Sequence, residues 1–169
     1  MTVARIASMV AATLATGLIA GVFYAYAISV MPALGRADDR TLVEVMQKIN
    51  VAIMNPWFLT GFVGTVAFGV LAALTHLDRA HRGVLVWIVA ALVLNVLAFL
   101  VTSALNVPLN DQLAAAGAAA RIGELASVRA DFESAWVRWN MVRAVLHALA
   151  FVALCGVLFV AGVQQGRGR

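Results

Sequence analysis

Trp136, Asn140, Arg143 and His147 follow one another at spacings of four, three and four. That spacing sets them in one line along a single face of an α-helix. Their types suit proton and anion chemistry. A neutral imidazole can accept a proton, and a guanidinium can hold an oxyanion in its planar fork. An amide beside them adds a donor and an acceptor, and an indole adds a flat apolar wall. Together they could move a proton or hold an anion. At 1.5 Å per residue, His147 lies roughly 10 Å further along the helix than Asn140. Plainer readings exist: Arg143 could snorkel to an interface, and His147 could be a hydrogen-bonded core residue.

A second polar series answers the first. Asn95, Thr102 and Asn106 are spaced by seven and four, and Asn110 follows after Val107-Pro108-Leu109. Gln47, Asn50, Asn55 and Trp57 cluster around another helix start, and Tyr24 lies in the first long apolar run. The functional reading gathers these side chains with the line on the last helix into one polar site. The plainer reading makes the amides helix caps or interhelical bonds, Asn95 included, and the indoles an interfacial belt.

Other chemistries lack their residues. His76 and His81 belong to the opposite end of the molecule from His147, so no His-rich metal shell or bis-histidine haem site forms. Asp78 between those two permits at most a surface site. The chain has no phosphate-binding glycine loop, nucleophile elbow or zincin motif. No metal and no cofactor are expected. Cys155 is the one cysteine, which excludes an internal disulfide or a redox pair.

These residues must be positioned by membrane helices. No Asp, Glu, Lys or Arg occurs between Arg5 and Arg36, Lys48 and Asp78, Arg82 and Asp111, or Arg143 and Arg167. Each interval can cross a bilayer, for which about 20 apolar residues suffice. A mean hydropathy of +0.95 with only 12% charged residues excludes an ordinary soluble domain. The expected fold is all-α: a four-transmembrane-helix bundle with two amphipathic extramembrane helical connectors on one face. It forms a single membrane domain over residues 1–169, with spans of about 6–30, 56–77, 84–105 and 140–163. Ala25-Tyr26-Ala27 has the form of a signal cleavage site, but the apolar run continues past it, which marks a retained helix.

Pro32 and Pro108 are placed just beyond the first and third helices, as stops, and Pro56 in the first turn of the second span. Residues 37–50 carry Leu42, Val45, Met46 and Ile49 at helical spacing, and residues 112–135 also read as helix. The two halves look alike. Met31-Pro32 parallels Val107-Pro108, and Ile49-Asn50 parallels Trp139-Asn140, which hints at a duplicated helix–connector–helix unit. One face carries Arg5, Arg79, Arg82, Arg167 and Arg169 against Asp78, for net +4; the other carries seven basic and seven acidic residues. The basic face points to cytoplasmic termini. The charge gives no sign of nucleic-acid binding, because no basic run interleaves with aromatics. Expected partners are the lipid bilayer, an apolar aromatic small molecule and, in an oligomer, further copies of the chain.

Together Met31-Pro32-Ala33-Leu34, Met46-Gln47-Lys48-Ile49-Asn50, Asn106-Val107-Pro108-Leu109-Asn110 and Trp136-x-x-x-Asn140-x-x-Arg143 resemble the anthrone oxygenase-like family of small membrane proteins. The resemblance implies oxidation of anthrones to anthraquinones with dioxygen and without a bound cofactor. An electron-rich enolate can itself reduce dioxygen, so such a site needs a base, an oxyanion holder and a dry slot. On this resemblance His147 is the expected base and Arg143, with Asn106 or Asn140, the oxyanion holder. Tyr24, Trp57 and Trp136 are then expected to line the slot, and Asn50 and Asn110 to bind substrate beside them. The alternative is a non-enzymatic membrane protein that binds a lipid or quinone or assembles with a membrane partner. A transporter fits less well, since no helix is broken at mid-membrane.

Overall fold

The computed structural model describes residues 3–167, and the residues it describes are helices and short connections, with no strand among them. Helix α1 (Val3–Ala25) passes through a π-helical turn at Tyr26–Val30 into α2 (Met31–Leu34). Helix α3 (Asp39–Ala52) follows, then α4 (Pro56–Leu74). Helix α5 (Arg82–Val101) passes through a second π turn at Thr102–Asn106 into α6 (Val107–Ala115), and α7 (Leu125–Arg167) completes the chain. Four continuous rods are long and apolar enough to cross a membrane: Val3–Leu34, Pro56–Leu74, Arg82–Ala115 and Leu125–Val163.

Two expectations about helix ends need correction. Pro32 and Pro108 do not stop their helices. Each lacks the N–H that would reach back four residues, and its ring would crowd the carbonyl there. The backbone widens by one residue just before each proline, so Met31 N–H bonds to Tyr26 O and Val107 N–H to Thr102 O. The helix then continues on an altered register. Nor is there a break before Asn140. Helix α7 runs 43 residues without interruption, because neither proline nor a capping side chain interrupts residues 125–140. Asn55-Pro56 does make such a break in the first half, where Asn55 Oδ1 accepts from Phe58 N–H at 3.1 Å.

Helix α1 packs on α4 and α7, and α5 packs on the same two, giving a ring in the order α1, α4, α5, α7. Small residues allow the close approach: Ala12, Ala72, Ala91, Ala98 and Ala150 are completely buried. The interior is layered. Met9, Ala72, Ile88 and Val157 fill the end near the termini, and Ala12, Ala91, Ala150 and Leu154 come next. Ile19, Phe23, Phe62 and Ala144 form a third layer. At the far end Met31, Leu42, Val43, Met46, Leu113, Phe132 and Trp136 gather under α3 and α6. The outer surface is apolar as well, with Leu14, Leu18, Val86, Val152 and Phe159 each more than half exposed. In water that surface would aggregate, whereas in a bilayer it meets lipid tails.

Specific polar bonds hold the connectors. Asp38 caps α3 by accepting from Thr41 N–H at 2.9 Å. Arg129 of α7 reaches across to Gly35 O, Ala37 O and Asp39, and also bonds to Glu133 on its own helix. Gln47 donates to Leu113 O and Gly117 O, tying α3 to the end of α6. These bonds fix the end of the bundle that carries most of the polar residues singled out above.

Candidate active site

The helical line on α7 is buried throughout, with Trp136, Asn140, Arg143 and His147 each at most 4% exposed. The long unbroken helix keeps all four on the face that meets α1 and α5.

Arg143 sits at the centre. Its Nη2 donates to Asn140 Oδ1 at 3.0 Å, while Nη1 makes only a long contact of 3.5 Å with Thr102 Oγ1. The guanidinium carbon lies 4.2 Å from the centroid of Phe23 and 5.4 Å from that of Trp136. Arg143 is not among the ion pairs formed by the described residues, and its buried Nε has no partner. Aromatic faces offset part of the cost of burying a cation, but they do not neutralise it.

The buried amide of Asn95 orients His147. Asn95 Nδ2 donates to Thr16 Oγ1 at 3.0 Å and faces the Thr65 carbonyl at 3.4 Å. A carbonyl can only accept, so the NH₂ end lies on that side and Oδ1 faces the histidine. His147 Nδ1 is 2.9 Å from that oxygen and therefore carries the hydrogen. Nε2 is left with its lone pair, buried and unpartnered. The ring also stacks on Phe23, with centroids 5.4 Å apart. Asn95 is thus an interhelical bond, as its position near mid-span suggests, and it also selects the histidine tautomer.

The π turns supply the opposite wall. Asn106, at the end of the second, is fully buried; its Nδ2 donates to Trp136 O at 3.3 Å and its Oδ1 has no partner. Asn110 accepts from Trp136 Nε1 at 2.9 Å. Asn50 borders a cavity of about 80 Å³ together with Phe23, Tyr26, Thr102, Asn110, Trp136 and Arg143, and its Nδ2 is buried without a partner. Asn140 Nδ2 donates to Phe23 O at 3.1 Å.

Seven of the residues expected at the site therefore gather in one region: Asn50, Asn106, Asn110, Trp136, Asn140, Arg143 and His147. Tyr24 and Trp57 do not. Tyr24 is 58% exposed and Trp57 89% exposed. Helical geometry gives the reason. Tyr26 borders the cavity, and a residue two positions earlier points roughly 200° away. Phe58 likewise borders it, which turns Trp57 outward to a position suited to the bilayer interface. Phe23, Tyr26 and Phe58 also border the cavity without a sequence signal for it, and Thr102 of the second polar series joins them. Three are aromatic residues in or beside apolar runs, where nothing separates a site wall from a lipid-facing ring. Thr102 was noted only for its spacing.

Fold and composition define an all-helical integral membrane protein of four apolar spans, with a polar centre enclosed toward one end of the bundle. A sequence model of the anthrone oxygenase family matches residues 54–153, more than half of the chain. The chain belongs to that family. The match takes in α4 to α7 as far as Ala153, including Asn95, Asn106, Trp136, Asn140, Arg143 and His147, and leaves Phe23, Tyr26 and Asn50 outside it. No match was found among curated proteins or among solved structures.

Proposed function

We propose that this protein is a membrane oxygenase that oxidises an electron-rich, anthrone-like phenolic substrate with dioxygen, drawing the electrons from the substrate itself. The observation that carries the reading is a buried guanidinium without an acidic partner, one helical turn from an imidazole whose Nε2 lone pair is free. A substrate anion would complete Arg143, and a substrate C–H is what Nε2 could deprotonate.

In this scheme His147 Nε2 removes a proton from a ring methylene activated by the adjacent carbonyl. The negative charge moves to the carbonyl oxygen, where Arg143 and the Asn50 amide hold it. The enolate passes one electron to dioxygen, and recombination forms a carbon–peroxide bond protonated by the imidazolium. Loss of the second methylene proton with O–O cleavage leaves a new carbonyl and releases water, so that CH₂ and O₂ become C=O and H₂O. The donor set around Arg143, one imidazole with amides and aromatic rings, suits proton removal and oxyanion binding rather than a metal shell. In this reading α3, α6 and the beginning of α7 lie outside the hydrocarbon, and the basic face with both termini is cytoplasmic in a bacterial plasma membrane.

The test is direct. Purified protein treated with chelator should consume dioxygen with an anthrone and yield the anthraquinone. Turnover lost with chelator and restored by iron or copper would overturn the metal-free scheme. Binding of a lipid or quinone without oxygen uptake would establish the non-enzymatic alternative.

A further inference from the structure

The site has little free space. Its cavity of about 80 Å³ is well below the ~300–1,000 Å³ of ordinary ligand pockets, so a flat polycyclic molecule must displace side chains. The candidates for displacement differ in what they lose. Moving Trp136 breaks its bond to Asn110, and moving Asn140 breaks bonds to Arg143 and to the Phe23 carbonyl. Phenylalanine rings can turn without breaking any hydrogen bond.

Such rings form a continuous column to the outer surface. Phe23, against Arg143 and His147, meets Phe62 edge-on with centroids 6.4 Å apart. Phe62 stacks on Phe99 at 4.9 Å. Phe99 in turn borders a groove of about 260 Å³ between α4 and α5, whose other walls are Val63, Val66, Ala67 and Val96. The groove is wholly apolar, and Val63 and Val96 are exposed beside it. The cavity beside Arg143 has a different character, bordered by Asn50, Thr102 and Asn110. Helix α4 is closely seated on α1, where a Cβ at Gly61 would lie 3.3 Å from Ile19, and on α5, where one at Gly69 would lie 3.0 Å from Leu92. Opening between α4 and α5 is therefore left to side chains.

We propose that Phe99, Phe62 and Phe23 form the lateral access route by which a flat apolar substrate passes from the bilayer to Arg143 and His147, with Phe62 as the ring that must turn. This rests on the oxygenase reading for its substrate. A hydrocarbon-soluble molecule concentrates beside the apolar groove and exchanges one aromatic contact for another as it moves inward. Phe62 then sets the width of molecule admitted.

The experiment blocks one opening at a time. In a Cys155→Ala background, Val63→Cys on the groove and Met54→Cys at the cavity are each modified with a bulky apolar maleimide, in vesicles. Modification at Val63 should lower kcat/KM for an anthrone about tenfold, equal to ~1.4 kcal/mol on the access step, with kcat at saturation little changed. Modification at Met54, which borders the cavity beside Arg143, should instead lower kcat itself, because the adduct occupies the space where the substrate reacts. Phe62→Trp should act like the groove block, and Phe62→Ala should raise kcat/KM for wider substrates. An unchanged kcat/KM after modification at Val63 and in Phe62→Trp overturns the route. If the unmodified protein oxidises no anthrone, the oxygenase reading fails, and the route is read by photolabelling with an azidoanthracene. Adducts at 63–67, at 96–99 and at Phe23, the last abolished by the Val63 block, support it. Adducts confined to Asn50 and Met54 overturn it.

Discussion

Replacing Arg143 by methionine separates a binding role from a structural one. The structure gives terms of both signs. The variant loses a charge-assisted bond to Asn140 Oδ1, worth ~1.5–3 kcal/mol, and two aromatic contacts of ~0.5–2 kcal/mol each. It also removes a buried cation with no acidic partner, whose effective desolvation penalty is several kcal/mol, and fills the space with an apolar chain of similar length. These terms nearly cancel, so Arg143→Met should alter stability by no more than ~2 kcal/mol, and with either sign. Catalysis has no such compensation. Loss of one oxyanion donor set lowers kcat by ~10²–10³-fold, or 2.7–4 kcal/mol. Thermal unfolding in detergent and oxygen uptake with an anthrone, on the same preparation, read both quantities. A stability loss of ~3–5 kcal/mol with turnover retained is the mark of a broken structural pair and would refute the reasoning. Arg143→Lys should rescue little, because a point charge on a flexible stem does not reproduce the planar fork.

Four further outcomes follow from other parts of the molecule. His147→Ala should slow substrate deprotonation by ~10²–10⁴-fold, measured as the rate of solvent-isotope exchange at the methylene, and full exchange in that variant would remove His147 as the base. Asn95→Leu should leave His147 present but free to adopt either tautomer, lowering kcat and altering its pH profile; an unchanged profile would show that Asn95 only joins helices. The Asp38 carboxyl is held below its usual range, first by the Thr41 backbone N–H and then by the Thr41 hydroxyl. A lowered folded value means its contribution is present above the unfolded value and lost as pH falls through the folded one, so protection of the first turn of α3 against hydrogen exchange should weaken in acid. Asp38→Asn, which caps without titrating, should abolish that acid dependence. Reporter fusions after Arg169 and within residues 112–135 should give opposite signals, since identical ones would contradict four spans.

The sequence was most legible where one physical force dominates. Charge-free intervals located the four spans, because burying ionised groups in hydrocarbon is costly enough to exclude them. The 4-3-4 spacing placed Trp136, Asn140, Arg143 and His147 on one buried face, since helical periodicity needs no knowledge of neighbours. Prolines misled. They forbid one hydrogen bond, yet a π turn accommodates that loss without ending the helix, and local rules do not say which response tertiary packing will favour. Aromatic residues were ambiguous for another reason. Tyr24 and Tyr26 both suit a wall or an interface, and only the rotation of α1 against α7 turns Tyr26 inward and Tyr24 outward. The pairing of Asn95 with His147 joins residues 52 positions apart on different helices, which spacing within either helix cannot disclose.

The parallel between the two halves runs deeper than the short motifs, and its failure explains where the polar centre lies. In each half a π turn precedes an X-Pro pair, Met31-Pro32 or Val107-Pro108, and a connector then leads to an asparagine, Asn50 or Asn140. Aligned on those asparagines, Ile53 and Trp57 take the places of Arg143 and His147. The first half breaks at Asn55-Pro56, so α4 starts on a new axis and Trp57 faces outward. The second half has no break, and α7 carries its asparagine, arginine and histidine inward on one rigid face. The two asparagines consequently differ in freedom. Asn140 is committed, donating to Phe23 O and accepting from Arg143. Asn50 keeps a buried, unpartnered Nδ2 at the cavity. One half therefore supplies the charged and basic groups on a fixed helix, while the other supplies a spare amide donor opposite them. An oxyanion bound between the halves would satisfy Asn50 and Arg143 together.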